Sequence, residues 1–341
     1  MSNLLTKREI YKPFHYPWAY EAYKSQNAMH WIPDEITFEE DIKDWNTKLT
    51  YEEKQFLTQI FRFFTQADVD VAGGYIDRFM PMFKHPELRM MMASFANMEA
   101  VHIDAYSRLI DTVGMPESEY EAFTKYSAML NKHDYLSKLP KTFFNYDGYY
   151  DVKAIAKSLA VYSAFTEGLQ LFSSFAMLLN FSRRGLMKGM SQVVTWSVRD
   201  ESLHVESMIR LFRTLIEENP EVWTDDFKKE LYDVARDMVQ LEDDFIDLAF
   251  ETGAIEGLDK EDVKKFVRYI ADRRLLQLGL KTNFGVKTNP LPWYDEILNT
   301  VEHVNFFENR VTEYSRGTLT GSWENNEVQE EKTKEEPKSS S

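Results

Sequence analysis

Two Glu-x-x-His pairs, Glu99-Ala100-Val101-His102 and Glu201-Ser202-Leu203-His204, constrain this chain more than any other feature. Residues three apart on an α-helix share a face, so the carboxylate and imidazole of each pair can reach one metal ion. A single pair arises easily by chance on an amphipathic helix. Here each pair has an acidic residue upstream: Asp68 stands 31 residues before Glu99, and Glu167 stands 34 before Glu201. Each half of the chain reads as an acid, a neighbouring helix, then Glu-x-x-His.

A helical reading of the whole chain supports that frame. Thr50-Tyr51-Glu52-Glu53 has the form of a capping box, and Phe56, Ile60, Phe63 and Phe64 follow at helical spacing. Gly73-Gly74 interrupts this helix without ending it. Pro86-Glu87-Leu88 opens a second helix that stops near Val113, before Gly114-Met115-Pro116. Further helices are expected over roughly Val152–Phe181, Gly185–Glu218, Thr224–Thr252 and Lys260–Leu280. Lengths near 30 residues exceed the usual ~11–12 and suit a bundle. No run of alternating β-branched residues calls for a sheet. The expected fold is all-α: a ferritin-like four-helix bundle with additional helices, in one domain over 1–320. From 321 the chain is charged and nearly free of apolar residues, which predicts a flexible acidic tail over 321–341.

Four carboxylates gathered in a bundle core would repel one another and lose hydration at large cost. Two divalent cations would balance them, with two neutral imidazoles completing the shell. The candidate metal ligands are therefore Asp68, Glu99, His102, Glu167, Glu201 and His204. Oxygen-rich ligation with one nitrogen per metal suits iron or manganese. The chain has no cysteine, so no thiol or disulfide chemistry starts from it. Its net charge of −16 argues against a nucleic-acid surface. The N-terminus lacks the apolar run of a signal peptide, and the longest nearly uncharged stretch, Gly168–Phe181, is too short to span a bilayer. A cytoplasmic protein without a membrane partner is expected.

The two halves differ at one position. Four residues after His102 stands Tyr106, whereas four after His204 stands Met208. Tyr106 lies on the stripe of Glu99 and His102, one turn on, where a tyrosine beside an oxidising metal pair could lose an electron and a proton together. Leu171 and Phe175, one and two turns after Glu167, are candidates for a dry pocket around it, and Ser197 is a polar residue on the next helix.

With these residues in place, the chain resembles the small subunit of class I ribonucleotide reductases over roughly Trp31 to Gly317. The resemblance rests on Pro86-Glu87-Leu88, Glu99-x-x-His102-x-x-x-Tyr106, Thr166-Glu167-Gly168 and Arg199-Asp200-Glu201-Ser202-Leu203-His204. It implies a pair of iron ions, with manganese or a mixed pair as alternatives. It also implies a tyrosyl radical on Tyr106, a homodimer, and a large subunit that receives the radical and reduces ribonucleotides with its own cysteines. Trp31 resembles the family's electron-transfer tryptophan, Asp200 the carboxylate joining it to His102, and Tyr314 the relay tyrosine near the C-terminus. One feature departs from the pattern. Family tails end in an apolar anchor for the large subunit, whereas this one ends Pro337-Lys338-Ser339-Ser340-Ser341, leaving Trp323 and Val328 as apolar candidates. Two other readings compete: a two-metal oxidase or hydroxylase acting directly on an organic substrate, and an iron-storage bundle. The first needs no relay to the surface. The second gives Tyr106 no role and is built from about half this length of chain.

Overall fold

The computed structural model describes residues 3–144 and 148–297; Tyr314 and the tail expected beyond 320 lie outside them. Among the described residues there is no strand, only two isolated bridges, Phe144–Tyr150 and Ile255–Leu258. The helices are α1 (Pro17–Ala28), α2 (Glu39–Thr47), α3 (Tyr51–Gly73), α4 (Pro86–Thr112), α5 (Ser127–Ser137), α6 (Val152–Leu159, continuing to Arg183), α7 (Lys188–Glu218), α8 (Asp225–Ala249) and α9 (Lys260–Gln277). α3 packs against α4, α4 against α7, and α7 against the middle of α6. These four make the central bundle. α1 lies along α4, while α8 and α9 cover α6 from outside.

The expected starts and stops are largely present. The Thr50 hydroxyl accepts from the Glu53 amide at 3.2 Å, and the Glu53 carboxylate accepts from the Thr50 amide at 3.0 Å. Phe56, Ile60, Phe63 and Phe64 all point into the core. Each such side chain contributes roughly 1.5–3 kcal/mol by leaving water. On α4 the buried stripe runs Leu88, Met91, Met92, Phe95, Met98, Glu99, His102, Ala105, Tyr106 and Leu109. The candidate ligands thus share the apolar face, and hydrophobic packing carries them inward.

Two departures from regular helix were not legible in the pattern. After Gly73 the chain does not break; it continues through one widened π-helical segment, Gly74–Phe79. A Cβ on Gly74 would lie 2.6 Å from the Tyr162 ring, so this glycine serves a close helix–helix approach rather than a stop. α6 widens in the same way over Ala160–Leu171 before returning to α-helix over Phe172–Arg183. Mid-helix π turns are rare and concentrate at functional sites. The shorter helices α1, α2 and α5 carry no long periodic run and were not anticipated.

α7 begins at Lys188 rather than near Gly185, because two buried carboxylates of α2 hold its first turn. Asp44 accepts from the Met187 amide at 2.9 Å, and Asp41 accepts from Gly189 at 2.7 Å and Met190 at 2.8 Å. Acids at a helix N-terminus satisfy its free amides and oppose the dipole. The fit is close: a Cβ on Gly189 would sit 2.6 Å from both the Phe38 ring and the Thr37 carbonyl. Gly189→Ala should therefore destabilise the fold by about 1–3 kcal/mol, the usual range for overpacking. Denaturant unfolding checks this; an unchanged midpoint would show that α2 does not clamp α7.

Candidate metal centre

The six residues singled out by spacing come from four helices: Asp68 on α3, Glu99 and His102 on α4, Glu167 on α6, Glu201 and His204 on α7. All six are essentially inaccessible to solvent. Glu99, Glu167, Glu201 and His204 form one group whose ligand atoms lie within 4.8 Å of one another. His102 joins through Nδ1, 3.3 Å from Glu201 Oε1 and 3.5 Å from Glu99 Oε2. Nδ1 of His204 lies 3.1 Å from Glu99 Oε1, 3.4 Å from Glu201 Oε2 and 3.7 Å from Glu167 Oε1. Glu99 and Glu201 each turn one oxygen to either imidazole, so they span the centre. Glu167 belongs to the His204 pole. The Asp68 charge acts on Glu99 and His102.

The residues fit a pair of divalent cations, as other buried carboxylates in the same chain make clear. Glu242 is paired with Lys132 at 2.6 Å, Asp243 with Arg268, and Glu53 with Arg184. Glu87 accepts from the amides of His15 and Tyr16, and Asp272 from those of Asn283, Phe284 and Gly285. At the centre the pattern fails. Both oxygens of Glu99, both of Glu201 and Oδ2 of Asp68 are buried without a hydrogen-bond partner. Four carboxylates face one another with only two imidazoles between them, and buried polar groups are seldom left so.

Electrostatics reflect this crowding. Burial pushes the Asp68 carboxyl well up, and the nearby Glu99 charge pushes it further. Burial likewise raises Glu167, to about 8, against the pull of His204. Burial alone would raise Glu201 too, but it lies between both imidazoles, which bring it down to about 2. Burial favours neutral imidazoles, yet the Asp200, Glu201 and Glu99 carboxylates beside its ring hold His102 well above the usual histidine range. Attraction to the Glu201 charge, with Glu167 and Glu99 close beside the ring, does the same for His204. The cluster by itself thus retains protons where cations would replace them.

The outward nitrogens are tied down separately. His102 Nε2 lies 3.2 Å from Asp200 Oδ2, and the Trp31 indole donates to the same oxygen at 2.8 Å. Trp31, Asp200 and His102 therefore form one hydrogen-bonded chain. Gln26 of α1 was not anticipated. Its amide donates to Asp200 Oδ1 at 3.0 Å, and its carbonyl oxygen lies 3.0 Å from His204 Nε2. These contacts turn both Nδ1 atoms inward and set the tautomer a metal ligand needs. A lone glutamine in a helix of tyrosines and alanines gave no signal in the sequence. Trp196, whose ring lies 5.1 Å from Trp31, was also missed.

Tyr106 lies against the Phe64 ring at 4.4 Å, nearly parallel at 10°, and Phe64 stacks in turn on Phe175. Phe175 thus joins the pocket at one remove, and Leu171 is fully buried. The Tyr106 hydroxyl and Ser197 Oγ are both buried without a hydrogen bond of ordinary geometry. Burial, with the Asp68 charge, makes the phenol hard to ionise, and Ser197 is near enough to temper this. A second tyrosine had escaped notice: the Tyr75 hydroxyl donates to Glu167 Oε1 at 2.6 Å. Its signal was present, since Tyr75 stands seven residues after Asp68, two helical turns along the same stripe.

The Thr166-Glu167-Gly168 triplet also acquires physical meaning. Thr166 Oγ1 donates to the Val161 carbonyl at 3.0 Å, and Arg274 of α9 donates to the Gly168 carbonyl at 2.7 Å. A Cβ on Gly168 would lie 2.7 Å from Arg274 Nε and 2.9 Å from the Ser163 carbonyl.

Comparison with known proteins agrees with this geometry. The family model described as "Ribonucleotide reductase, small chain" matches residues 8–290. The "Probable ribonucleoside-diphosphate reductase small subunit 048L" of Invertebrate iridescent virus 3 is 46% identical, over 94% of this chain and 88% of its own. The "Ribonucleoside-diphosphate reductase subunit beta" of Chlamydia pneumoniae is 31% identical, over 89% of this chain and 88% of its own. The fold matches the solved ribonucleotide reductase R2 subunit from Clostridium botulinum with a TM-score of 0.75 at 22% identity, covering 87% of this chain and 94% of that one. It matches dimanganese(II)-NrdF of Streptococcus sanguinis with 0.73 at 20%, covering 86% and 99%. No helix among the described residues is long and apolar enough to cross a membrane. The chain belongs to the ribonucleotide reductase small-chain family, the oxidoreductase component that serves as the small subunit of ribonucleoside-diphosphate reductase.

Proposed function

We propose that this small subunit holds two iron or manganese ions through Asp68, Glu99, His102, Glu167, Glu201 and His204, and that Tyr106 carries the radical it delivers to a large subunit. The observation that carries this reading is the set of buried, partnerless carboxylate oxygens at the centre of four helices. When bound, such a pair supplies a strong one-electron oxidant after reaction with dioxygen or a related oxidant. Manganese stays open beside iron, because the ligand atoms suit both and one relative of the same fold is a dimanganese protein.

The chain's own residues do the rest. Glu99 and Glu201, each with an oxygen turned to either imidazole, would hold the pair together with Asp68, His102, Glu167 and His204. Phe64 covers the Tyr106 ring, and Phe175 backs Phe64 from its far side. Among the carboxylates, the Asp68 charge bears most strongly on the phenol. Export runs through His102, Asp200 and Trp31, whose hydrogen bonds are contiguous. Tyr314, outside the described residues, continues the path towards the large subunit. That relay favours radical export over direct oxidation of an organic substrate at the metals, which would not need it. The reading further takes 1–320 as one ferritin-like domain, 321–341 as a flexible tail near the docking peptide, and the working form as a homodimer in the cytoplasm.

Metal uptake should depend on pH in a definite direction. The metal-free cluster holds protons on groups raised above their ordinary values, Glu167 among them at about 8. Those protons must leave as metal enters, so affinity for Mn(II) should rise from about pH 6 to about pH 8. Titration followed by the resonance of free manganese measures it, and a flat profile would count against displacement of protons. Asp200→Ala should weaken metal binding by roughly 10–100-fold, as loss of a histidine's supporting carboxylate does elsewhere.

The radical assignment is tested by electron paramagnetic resonance of the iron-loaded protein after exposure to oxygen. The long-lived organic signal should disappear in Tyr106→Phe; an unchanged signal would place the radical elsewhere. Tyr314→Phe should keep that signal and lose turnover with the large subunit, and normal turnover would remove Tyr314 from the relay.

A further inference from the structure

Tyr75 sits at the opposite pole of the centre from Tyr106. It belongs to the widened segment Gly74–Phe79, is buried, and donates to Glu167 Oε1 at 2.6 Å. Its ring stands edge-on to His204, with centroids 6.0 Å apart, and edge-on to Phe95 at 5.9 Å. Access to this place is built in. Gly74 lacks the Cβ that would strike Tyr162, so the widened turn can press against α6 and bring the next residue to Glu167.

The two phenols differ in what they touch. Tyr106 has no hydrogen-bond partner of ordinary geometry, whereas Tyr75 has a carboxylate at a short hydrogen-bond distance. A phenol buried in a medium of low dielectric is oxidised easily only if its proton departs with the electron, because the cation radical would be an unpaired buried charge. A carboxylate already holding the hydrogen bond meets that need without rearrangement.

From this placement we propose that Tyr75 is a second oxidisable tyrosine of the centre, serving the His204 pole through its hydrogen bond to Glu167. In the step, the Tyr75 O–H bond breaks. One electron passes to the oxidised metal pair, which is reduced by one unit, and the proton passes to Glu167 Oε1, leaving a neutral phenoxyl radical. The inference rests on the reading of the centre as a two-metal oxidant. Trp31 and Asp200 back His102 rather than His204, so a radical on Tyr75 stands away from the export chain. It would take up oxidising equivalents when Tyr106 cannot.

The full-length chain, loaded with ferrous iron and mixed with oxygen, is freeze-quenched and examined by electron paramagnetic resonance. In Tyr106→Phe a short-lived tyrosyl signal with altered hyperfine splitting should appear, and Tyr106→Phe/Tyr75→Phe should return it to baseline. After repeated oxidation of Tyr106→Phe without the large subunit, peptide mass spectrometry should find added oxygen on Tyr75. A side chain that only orients Glu167 would move neither readout. Should the double variant fail to fold or to hold iron, 3-fluorotyrosine at position 75 in the Tyr106→Phe background replaces it, and fluorine coupling must then appear in the signal. Fully loaded Tyr106→Phe that gives no tyrosyl signal and leaves Tyr75 unmodified overturns the proposal, as does a signal that survives the double variant or lacks fluorine coupling. A wild-type radical with a silent Tyr106→Phe removes Tyr75 alone. A wild-type protein with no radical at all removes the Tyr106 reading as well.

Discussion

Mutual repulsion among four buried carboxylates is the constraint on which the rest of the structure depends. An ionised group withdrawn from water without a partner costs several kcal/mol even after relaxation. A whole domain is stable by only about 5–15 kcal/mol. Elsewhere the chain meets this cost with a lysine, an arginine or a row of amides placed against each buried acid. At the centre it places acids against acids. The surrounding helices must therefore be held by other means. They are: aromatic packing along α3 and α4, and the clamp of Asp41 and Asp44 on the start of α7. This packing keeps the candidate ligands converging.

The two halves of the bundle repeat one plan, and their differences carry the direction of the chemistry. Both histidines face the centre through Nδ1 and are backed through Nε2. His102 is backed by the Asp200 carboxylate, and His204 by the neutral Gln26 amide. A carboxylate raises the basicity of a histidine ligand more than an amide does, so the poles are unequal. The same Asp200 also holds Trp31. Both tyrosines come from the first half: Tyr106 feels the charge of its own Asp68, while Tyr75 crosses to Glu167. Their counterparts in the second half, Met208 and Ser174, have no phenol to offer. A symmetric frame thus holds an asymmetric set of aromatic and hydrogen-bonding groups.

Much of this was legible in the sequence because helical periodicity and ligand spacing are local properties. Glu99 and His102 are three apart, Phe56 to Phe64 repeat at helical intervals, and Thr50 with Glu53 marks a start; each needs only its own helix to be read. The groups that escaped depend on long-range contact. Gln26 meets Asp200 and His204 across more than 170 positions of chain. Trp196 matters because Trp31 lies beside it. Gly74 looked like punctuation, since nothing in its neighbours foretold the ring of Tyr162. Tyr75 was readable in principle, seven residues after Asp68, but the two glycines between them obscured the stripe.

The widened turns follow from the same competition between local preference and the needs of the centre. Over Ala160–Leu171 the backbone gives up regular α-helical hydrogen bonding at the point where Glu167 must face His204. Side chains and a neighbouring helix make up the loss. Ser163 bonds to the Leu159 carbonyl at 2.5 Å and Thr166 to Val161. Arg274 reaches the Gly168 carbonyl, with burial pulling its guanidinium down to about 10. Serine, threonine and glycine are ordinary to poor helix formers, and their clustering in the middle of a long helix runs against propensity. It is consistent with what the site requires. Thr166 steadies the turn, Glu167 supplies the charge, and Gly168 leaves room for the arginine that holds the turn open. α9 contributes no candidate ligand, yet through Arg274 it supports the irregular backbone that carries Glu167.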